Sequence, residues 1–279
     1  MRIERPTEAI LDETRDLDRR SVEEILALIH AQDRVAVDAV GRVLPEISQA
    51  VDVLVCALSG GGRWYNVGAG TSGRMGALDA AEIPPTFGLP SHRVQAVIAG
   101  GEEALSRAVE EAEDDPEAAR RQLREAGLRP GDAVVAISAS GRTPFALAAV
   151  EVAHEVGART IAITCDPDSD LAQGAEISIV PQVGAEVIAG STRMKGGLAQ
   201  KMVLHLMSTT VMVKLGYVAG NLMTNLLPTS KKLRERGNRI VAQMLEVDEA
   251  RAAEILEASG GLVSEAIARG SGRRGGNST

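Results

Sequence analysis

Short apolar runs alternate with helical stretches through the middle of the chain, from about residue 60 to residue 180. Continuous apolar runs separated by helices are typical of parallel strands that are covered on both faces. The pattern therefore predicts an α/β fold with a doubly wound parallel sheet. The predicted strands are Arg63–Val67, Val94–Ile98, Ala133–Ile137, Thr160–Thr164 and Ile177–Val180, and the predicted helices between them start near Ser72, after Gly101, at Pro116 and at Pro144.

Helical patterns flank this region on both sides. Apolar residues recur at helical spacing from Ser21 to about Leu58, which predicts two leading helices. A long helix is predicted at Thr192–Leu215, and three shorter helical patterns follow Arg236, with breaks at Asp248 and Gly260. We predict four parts: an N-terminal helical segment (1–58), an α/β domain (59–216), a small C-terminal helical region (217–270) and a flexible tail (271–279).

Composition narrows the class of function. The chain has 279 residues, of which 44% are hydrophobic but only 2% aromatic, so the core is expected to consist of aliphatic side chains. So few rings argue against stacking on nucleic-acid bases. The formal net charge of −8 also argues against a general affinity for DNA or for an anionic membrane surface. An anionic ligand would have to be held by local groups.

No part of the sequence predicts a membrane span, a signal peptide or a metal site. The chain has no run of about 18 apolar residues, and its first residues lack the apolar segment of a signal peptide. A cytoplasmic protein is therefore expected. Cys56 and Cys165 are interpreted as reduced core residues, because nothing near them has the spacing of metal ligands.

Three glycine-rich loops combine hydroxyl side chains with a cation. They read GAGTSGR (68–74), SASGRTP (138–144) and GSTRMKGG (190–197). In an open parallel sheet, ligands bind beyond the carboxyl ends of the strands, and the free N–H groups at a helix start favour an anion. A single Ser or Thr before a helix is most often an ordinary N-cap, but three such loops at one sheet edge predict a phosphate-binding site.

The first loop also matches the dinucleotide fingerprint G-x-G-x-x-G through Gly68, Gly70 and Gly73. A dinucleotide site would need an acidic residue at the end of the second strand to bind a ribose. That strand is followed by Ala99 and two glycines instead. The hydroxyls of the loop therefore favour a phosphate monoester as the ligand.

The pattern S-x-S-G-x-T at residues 138–143, together with G-T-S at residues 70–72, resembles the sugar isomerase (SIS) domain family. The resemblance implies that hydroxyls of these two loops bind the phosphate of a phosphosugar. The family's usual glutamine between the two serines is Ala139 here, so that contact is absent. Carried over by match, the substrate-binding residues are Gly70, Thr71, Ser72, Ser138, Ser140, Gly141, Thr143, Ser191, Arg193 and Lys195, with Arg142 as a further charge partner.

Four longer blocks of the sequence read GAGTSGRMGALDAAEIPPTFG, IAGGEEALSRAVEEAEDD, VGAEVIAGSTRMKGGLAQK and GNLMTNLLPTSKKL. Together they resemble the N-acetylmuramic acid 6-phosphate etherase family, over a match from about Thr7 to Arg236. The resemblance implies a cytoplasmic enzyme of cell-wall recycling that splits the lactyl ether from the sugar, as a homodimer with sites near the interface. It also implies two catalytic glutamates, Glu82 at the end of a helix and Glu113, and no metal or organic cofactor.

Two carboxyl groups suit the elimination that the resemblance implies. In the open-chain aldehyde, a carboxylate removes the acidified C2 hydrogen and an acid protonates the departing lactate oxygen at C3; water then adds to the double bond. One group must be ionised while the other is protonated, which requires unequal surroundings. From the residues alone, Glu82 also fits an ordinary solvated helix position, and Glu113 also fits a solvated acidic face.

The spacing of Ser72 and Glu82 raises a geometric difficulty. Ten residues of continuous helix rise about 15 Å, which exceeds the reach of one hexose. Two hypotheses resolve it: the helix breaks near Asp79, or the site is completed across a dimer interface.

The sequence departs from the etherase family at a few positions. Ala9 and Ile10 stand where an Asn-Pro pair is usual, Ser230 replaces an asparagine, and the region between Leu233 and Arg239 is shortened. Two other functions stay open. One is an aldose-ketose isomerase on the same fold, and the other is a non-catalytic sugar-phosphate sensor that resembles the glucokinase regulatory protein.

Overall fold

The computed structural model describes residues 5–226 and 231–272. The chain divides into two compact units. The first consists of the described residues within Met1–Ala80 and His92–Val211, and it contains the whole sheet. The second consists of the described residues within Ala81–Ser91 and Met212–Thr279, and it is mainly helical.

A five-stranded parallel sheet forms the centre of the first unit, which confirms the predicted fold class. In the register, Gly68 pairs with Ile98 and Ile137, and Ile163 pairs with Ile137 and Ile179. The carboxyl ends of all five strands therefore reach one edge of the sheet. The strands are β1 (Trp64–Gly68), β2 (Val94–Ile98), β3 (Ala133–Ile137), β4 (Arg159–Ile163) and β5 (Ile177–Ile179), in the order β2-β1-β3-β4-β5.

Helices cover the sheet, and every residue of β1 and β3 is buried. Burial on both faces explains why these strands are continuous apolar runs rather than alternating ones. The helices that begin in this unit are α1 (Val22–Arg42), α2 (Leu44–Ser59), α3 (Gly70–Phe87), α4 (Glu103–Ser106), α5 (Pro116–Glu125), α6 (Pro144–Val156), α7 (Asp170–Gly174) and α8 (Lys195–Lys214), with 3-10 helices at Asp12–Thr14, Leu17–Arg19 and Glu110–Asp114.

The core of the first unit consists mainly of aliphatic side chains, as the composition predicts. Its few rings include Trp64, Tyr65 and Phe145, which are fully buried. Small residues of α6, such as Ala149 and Ala153, belong to the same apolar cluster as Tyr65. Because alanine keeps the helix close to the sheet, little aromatic volume is needed to fill the core.

Several elements differ from the sequence prediction. The end of α3, expected at Glu82, lies at Phe87, because the helix tolerates Pro84 and Pro85 in its last turn. The long helix α8 begins at Lys195 instead of Thr192, since the residues before it form turns. The short helix α7 is not predicted, because five residues carry too little periodicity.

The two cysteines lie in different surroundings. Cys165 is buried, and burial raises its pKa to about 12, so the thiol stays protonated. Cys56 is exposed, so its interpretation as a core residue is wrong. The apolar neighbours of Cys56 in sequence point to a buried helix face, but Cys56 itself lies on the outer face of α2.

The second unit contains the three predicted C-terminal helices. They are α9 (Lys231–Leu245), α10 (Glu249–Ala258) and α11 (Val263–Gly270), and they share an apolar cluster that includes Ile240 and Leu256. Helix α9 starts before the predicted position after Arg236. Ser230 and residues 273–279 of the predicted tail lie outside the described residues.

Two kinds of feature are absent from the part of the chain that the structure describes. None of its helices is long and apolar enough to cross a membrane. Within the same described residues, no group of three or more His, Cys, Asp or Glu side chains is placed to hold a metal ion.

Candidate functional site

The topology marks one place on the carboxyl edge of the sheet. The connections from β1 to β2 and from β2 to β3 run in opposite directions, because β1 lies between the other two strands. In this strand order a crevice forms beyond the carboxyl ends of the strands where the direction changes, here β1 and β3. Loops 68–74 and 138–144 leave from these two strand ends, and both are predicted to bind phosphate.

The first loop turns directly from β1 into α3. A Cβ on Gly73 would lie 2.6 Å from the carbonyl oxygen of Gly68, so only glycine allows the helix to start this close to the strand. The N–H groups of the first helical turn, at Gly70, Thr71 and Ser72, have no carbonyl partner within the helix. An anion at the start of α3 would receive these N–H groups and is favoured by the helix dipole.

The second loop gathers three hydroxyls at the end of β3. Ser138 Oγ lies 2.9 Å from Thr143 Oγ1 and 3.3 Å from Ser140 Oγ. The Gly141 N–H donates to Ser138 Oγ at 3.1 Å, and a side chain at Gly141, where φ is +65°, would overlap Ser169. Ser138 is buried, whereas Ser140 and Thr143 are half-buried. A ligand can therefore reach the hydroxyl cluster through these last two residues.

The third loop meets the other two at the start of α8. A Cβ on Gly197 would lie 3.1 Å from Thr71 Cγ2, and a Cβ on Gly196 would lie 3.4 Å from Ala139 Cβ. Ser191 lies half-buried in the segment before the helix. The structure thus brings the three predicted loops together on the carboxyl edge.

A buried carboxylate occupies the start of α8. Glu186 is 1% exposed; its Oε2 accepts from the Lys195 N–H at 3.0 Å, and its Oε1 accepts from the Gly196 N–H at 2.9 Å. A carboxylate at a helix N-terminus is electrostatically favourable. These two N–H groups are already paired within the chain, so the start of α3 offers the freer helical donors to a phosphate.

The predicted cations differ in their availability. Lys195 is buried, its Nζ donates to Gln32 Oε1 at 2.6 Å, and burial lowers its pKa. Arg142 Nη2 donates to Asp166 Oδ2 at 3.1 Å. Arg193 is exposed and makes no ion pair with any described residue. Arg193 is therefore free to turn towards an anionic ligand, whereas the other two cations already have partners.

The two predicted catalytic glutamates are both exposed in the single chain. Glu82 lies on α3, which is continuous from Gly70 to Phe87, so the hypothesis of a helix break near Asp79 is wrong. Glu113 lies in the 3-10 helix Glu110–Asp114, between β2 and α5. One chain by itself leaves both carboxyl groups open to water.

Two polar residues of the site were missed from the sequence. Gln200 on α8 accepts a hydrogen bond from Ser72 Oγ at 3.0 Å and is 1% exposed. Its Nε2 has no hydrogen-bond partner among the described residues. Glu186 was the other omission. Glu186 is the single polar residue of the stretch 183–190, and that isolation was the available signal, whereas Gln200 stands beside Lys201 and carries no such signal.

Curated sequences include relatives at high identity. A relative from Symbiobacterium thermophilum, named N-acetylmuramic acid 6-phosphate etherase, is 50% identical over 261 residues, which cover 94% of this chain and 87% of the relative. A relative from Enterococcus faecalis, named N-acetylmuramic acid 6-phosphate etherase 1, is 46% identical with the same coverage. The family model described as the glucokinase regulatory protein N-terminal SIS domain matches residues 46–154, which include β1 to β3 and the first two loops.

Solved structures share the fold of the first unit. Phosphoheptose isomerase from Neisseria gonorrhoeae has a TM-score of 0.53 at 21% identity, covering 68% of this chain and 98% of the isomerase. A phosphoheptose isomerase from Francisella tularensis has the same TM-score and identity, covering 70% of this chain and 99% of the isomerase. At this identity the likeness shows the fold alone.

Proposed function

Since this chain belongs to the N-acetylmuramic acid 6-phosphate etherase family, we propose that it cleaves the lactyl ether of N-acetylmuramic acid 6-phosphate. The products are D-lactate and N-acetylglucosamine 6-phosphate, as expected of an enzyme of cell-wall sugar recycling. The observation that carries the proposal is 50% identity over 94% of the chain to a relative of that name. The meeting of three hydroxyl-bearing loops at one sheet edge supports it independently.

The phosphate of the substrate binds at the switch point of the sheet. Its oxygens accept from the free N–H groups at the start of α3 and from the hydroxyls of Ser72, Ser140 and Thr143, with Ser138 holding the last two in place. Arg193 supplies the mobile positive charge. Neutral donors dominate this site, which suits a chain of net charge −8.

Glu82 and Glu113 carry the chemistry at the other end of the sugar. One carboxylate removes the C2 proton of the open-chain aldehyde, and the electron pair forms a C2–C3 double bond as the C3–oxygen bond breaks. The other carboxyl group donates its proton to the departing lactate oxygen. Water then adds its hydroxyl to C3 and a proton to C2. The scheme uses side chains and water, with no cofactor.

We further propose that the active site is completed by a second copy of the chain. The continuous helix α3 separates Ser72 from Glu82 by about 15 Å, and both glutamates are exposed in one chain. A partner subunit covering Glu82 and Glu113 would exclude water and give the two carboxyl groups unequal surroundings. We place this homodimer in the cytoplasm, in keeping with the two free thiols.

Lactate release from N-acetylmuramic acid 6-phosphate tests the proposed function. We expect the purified chain to release D-lactate, and in water labelled with heavy oxygen to place one label at C3 of the sugar product and none in lactate. The variant Glu82→Gln, which keeps the side-chain shape, should lower kcat by about 100-fold or more. An isomerase or a non-catalytic sensor would release no lactate, and label in lactate would exclude cleavage at C3.

A further inference from the structure

We propose that Gln200 is a positioning residue that decides whether the Ser72 hydroxyl can donate its proton to a phosphate. The inference rests on the proposed phosphosugar site and deepens it, because it gives a role to a residue outside the three loops. The ligand group that Ser72 would bind is a phosphate oxygen, which accepts hydrogen bonds and donates none.

The observed contact uses the hydroxyl proton within the protein. Ser72 Oγ donates to Gln200 Oε1 at 3.0 Å. A serine hydroxyl has one proton and two lone pairs, so in this arrangement Ser72 offers only lone pairs to a ligand. The oxygens of a phosphate dianion also carry only lone pairs. Ser72 cannot bind a phosphate oxygen while it donates to the glutamine.

The same contact leaves the amide nitrogen of Gln200 without a hydrogen-bond acceptor among the described residues. Gln200 is 1% exposed, and its Nε2 has no hydrogen-bond partner among the described residues. A buried N–H without an acceptor is unfavourable. The neighbouring contact between the two helices is different in kind, since Ser208 Oγ donates at 3.0 Å to a carboxyl oxygen, Asp79 Oδ1, and no amide is involved.

A half-turn of the carboxamide gives the amide nitrogen a partner and frees the hydroxyl proton, and it moves Oε1 to the position without a partner. Rotation by about 180° about the last side-chain torsion exchanges the oxygen and nitrogen of Gln200, and amides have two such positions of similar shape. Nε2 then donates to Ser72 Oγ, and the hydroxyl proton is free for a phosphate oxygen. The backbone of both helices stays where it is. A phosphate at the start of α3 therefore selects the second arrangement.

This arrangement makes the first loop selective. With Nε2 donating to it, Ser72 becomes a donor towards the ligand and fits a phosphate. With Oε1 accepting from it, Ser72 becomes an acceptor towards the ligand and fits a water or a sugar hydroxyl. One amide thus couples the state of the loop to the charge of its ligand.

Calorimetric titration with N-acetylglucosamine 6-phosphate tests the role of Gln200. Ser72→Ala should raise Kd by about 10-fold, since it loses a hydrogen bond to a charged group. Gln200→Met keeps the volume without the amide and should raise Kd by about 5-fold in the wild-type background, yet by less than about 2-fold in the Ser72→Ala background. Gln200→Glu, which can only accept, should weaken binding at least as much as Ser72→Ala.

Ser208→Ala is the matched control on the same helix. It removes the other side-chain hydrogen bond between α3 and α8, away from the loops, and Kd should stay unchanged. If Gln200 acted only by packing the two helices together, Ser208→Ala would weaken binding too, and the effects of Gln200→Met and Ser72→Ala would multiply. Either result would overturn the proposal, as would unchanged Kd values in Gln200→Met and Gln200→Glu proteins with wild-type melting temperatures.

The titration separates this inference from the proposed reaction, because it needs no turnover. Coupled effects on Kd in a chain that releases no lactate would support the role of Gln200 and reject the etherase activity. Lactate release with additive effects would do the reverse. In an active enzyme, Gln200→Met should raise KM and leave kcat within about 2-fold, since the phosphate is remote from C2 and C3.

Discussion

Hydroxyl side chains, rather than cations, define the candidate phosphate site at the scale of single residues. Ser72, Ser140 and Thr143 present oxygens at the loop ends, while Lys195 donates to Gln32 instead. Helical N–H groups and hydroxyls are fixed dipoles that bind an anion without attracting every anion in solution. We expect such a site to discriminate by geometry.

Asp79 provides a prediction about pH at the same scale. It lies on α3 with Lys201, His205 and Ser208 of α8 near it, and burial raises the pKa of its carboxyl group against the opposing effect of these neighbours. The folded protein therefore holds this proton at a higher pH than the unfolded chain does. The ionised carboxylate lowers stability at neutral pH, and the penalty fades as the pH falls through the raised pKa to below the unfolded value.

Comparison of the wild type with Asp79→Asn isolates this effect. The variant has no titrating group at position 79, so its free energy of unfolding includes any packing change there as a constant offset. As the pH falls from 7 towards 4, we expect the wild type to gain stability relative to the variant. Urea unfolding at several pH values measures the difference. A difference that is flat or moves the other way would contradict the raised pKa.

The hydroxyls of the candidate site were predictable from the sequence, but their buried partners were not. Ser72, Ser138, Ser140 and Thr143 were predictable because each belongs to a glycine-rich loop after an apolar run, which is a local signal. Gln200 contacts Ser72, which lies 128 positions earlier in the sequence. Glu186 lies in a loop and contacts the first residues of α8. The contact of Gln200 depends on how α3 and α8 pack, and the contact of Glu186 depends on how the loop after β5 folds back onto the start of α8.

At the scale of helices and strands, an element was again predictable where its sequence signal is local and not where it depends on packing. The strands were predictable since burial on both faces leaves continuous apolar runs. The start of α9 was not, because its first turns are charged and Gly237 suggests a break. In the structure, Gly237 lies inside the helix where a Cβ would come 3.1 Å from Leu256 and 3.2 Å from Val263. Close packing of three helices explains that glycine.

Asp132 yields a prediction about how the sheet is held at the amino ends of its strands. It is fully buried, and its carboxylate accepts from the Arg63 N–H at 2.8 Å, from Arg63 Nη2 at 3.0 Å and from the Arg129 N–H at 3.1 Å. Asp132→Ala leaves the backbone N–H groups of Arg63 and Arg129 without this acceptor, while Arg63 Nη2 keeps the carbonyl oxygen of Gly127. We expect a loss of about 3–5 kcal/mol in the free energy of unfolding, measured in urea.

The location of Asp132 predicts that Asp132→Ala lowers stability but leaves ligand binding unchanged. The residue lies just before β3, at the opposite end of the strands from loops 68–74 and 138–144. The folded Asp132→Ala protein should keep the wild-type affinity for a phosphosugar. Asp12→Ala serves as the control, since Asp12 pairs with Arg15 on the surface and should leave unfolding unchanged. A small effect of Asp132→Ala, similar to that of the control, would show that the buried pair does not hold the strands.

At the scale of the whole molecule, the exposure of Glu82 and Glu113 needs an explanation. Both are exposed in one chain, although proton transfer with a matched acid and base requires surroundings that separate their pKa values. The continuous helix α3 removes the alternative in which a break brings Glu82 back towards Ser72. Completion of the site by a second copy accounts for both facts without moving any element of the chain.

Mixing two impaired variants tests this shared site. In a shared site, Ser72 comes from one chain and Glu82 from its partner, so a heterodimer of Glu82→Gln and Ser72→Ala chains holds one intact site and one doubly altered site. Random exchange makes about half of the dimers mixed, so activity should recover to about a quarter of the wild-type value. The assay measures lactate release below the KM of the wild type, where Ser72→Ala is impaired.

The controls of this experiment separate sharing from simple mixing. Each variant alone, refolded at the same total concentration, should stay at its own low activity. An equal mixture of wild type with the Glu82→Gln/Ser72→Ala double variant should fall to about a quarter of the wild-type value, because both sites of each mixed dimer then hold one altered group. Sites formed within one chain would leave every chain of the two-variant mixture with one altered group. Lack of recovery, in a sample that exchanges subunits, would therefore place Ser72 and Glu82 of each site in the same chain.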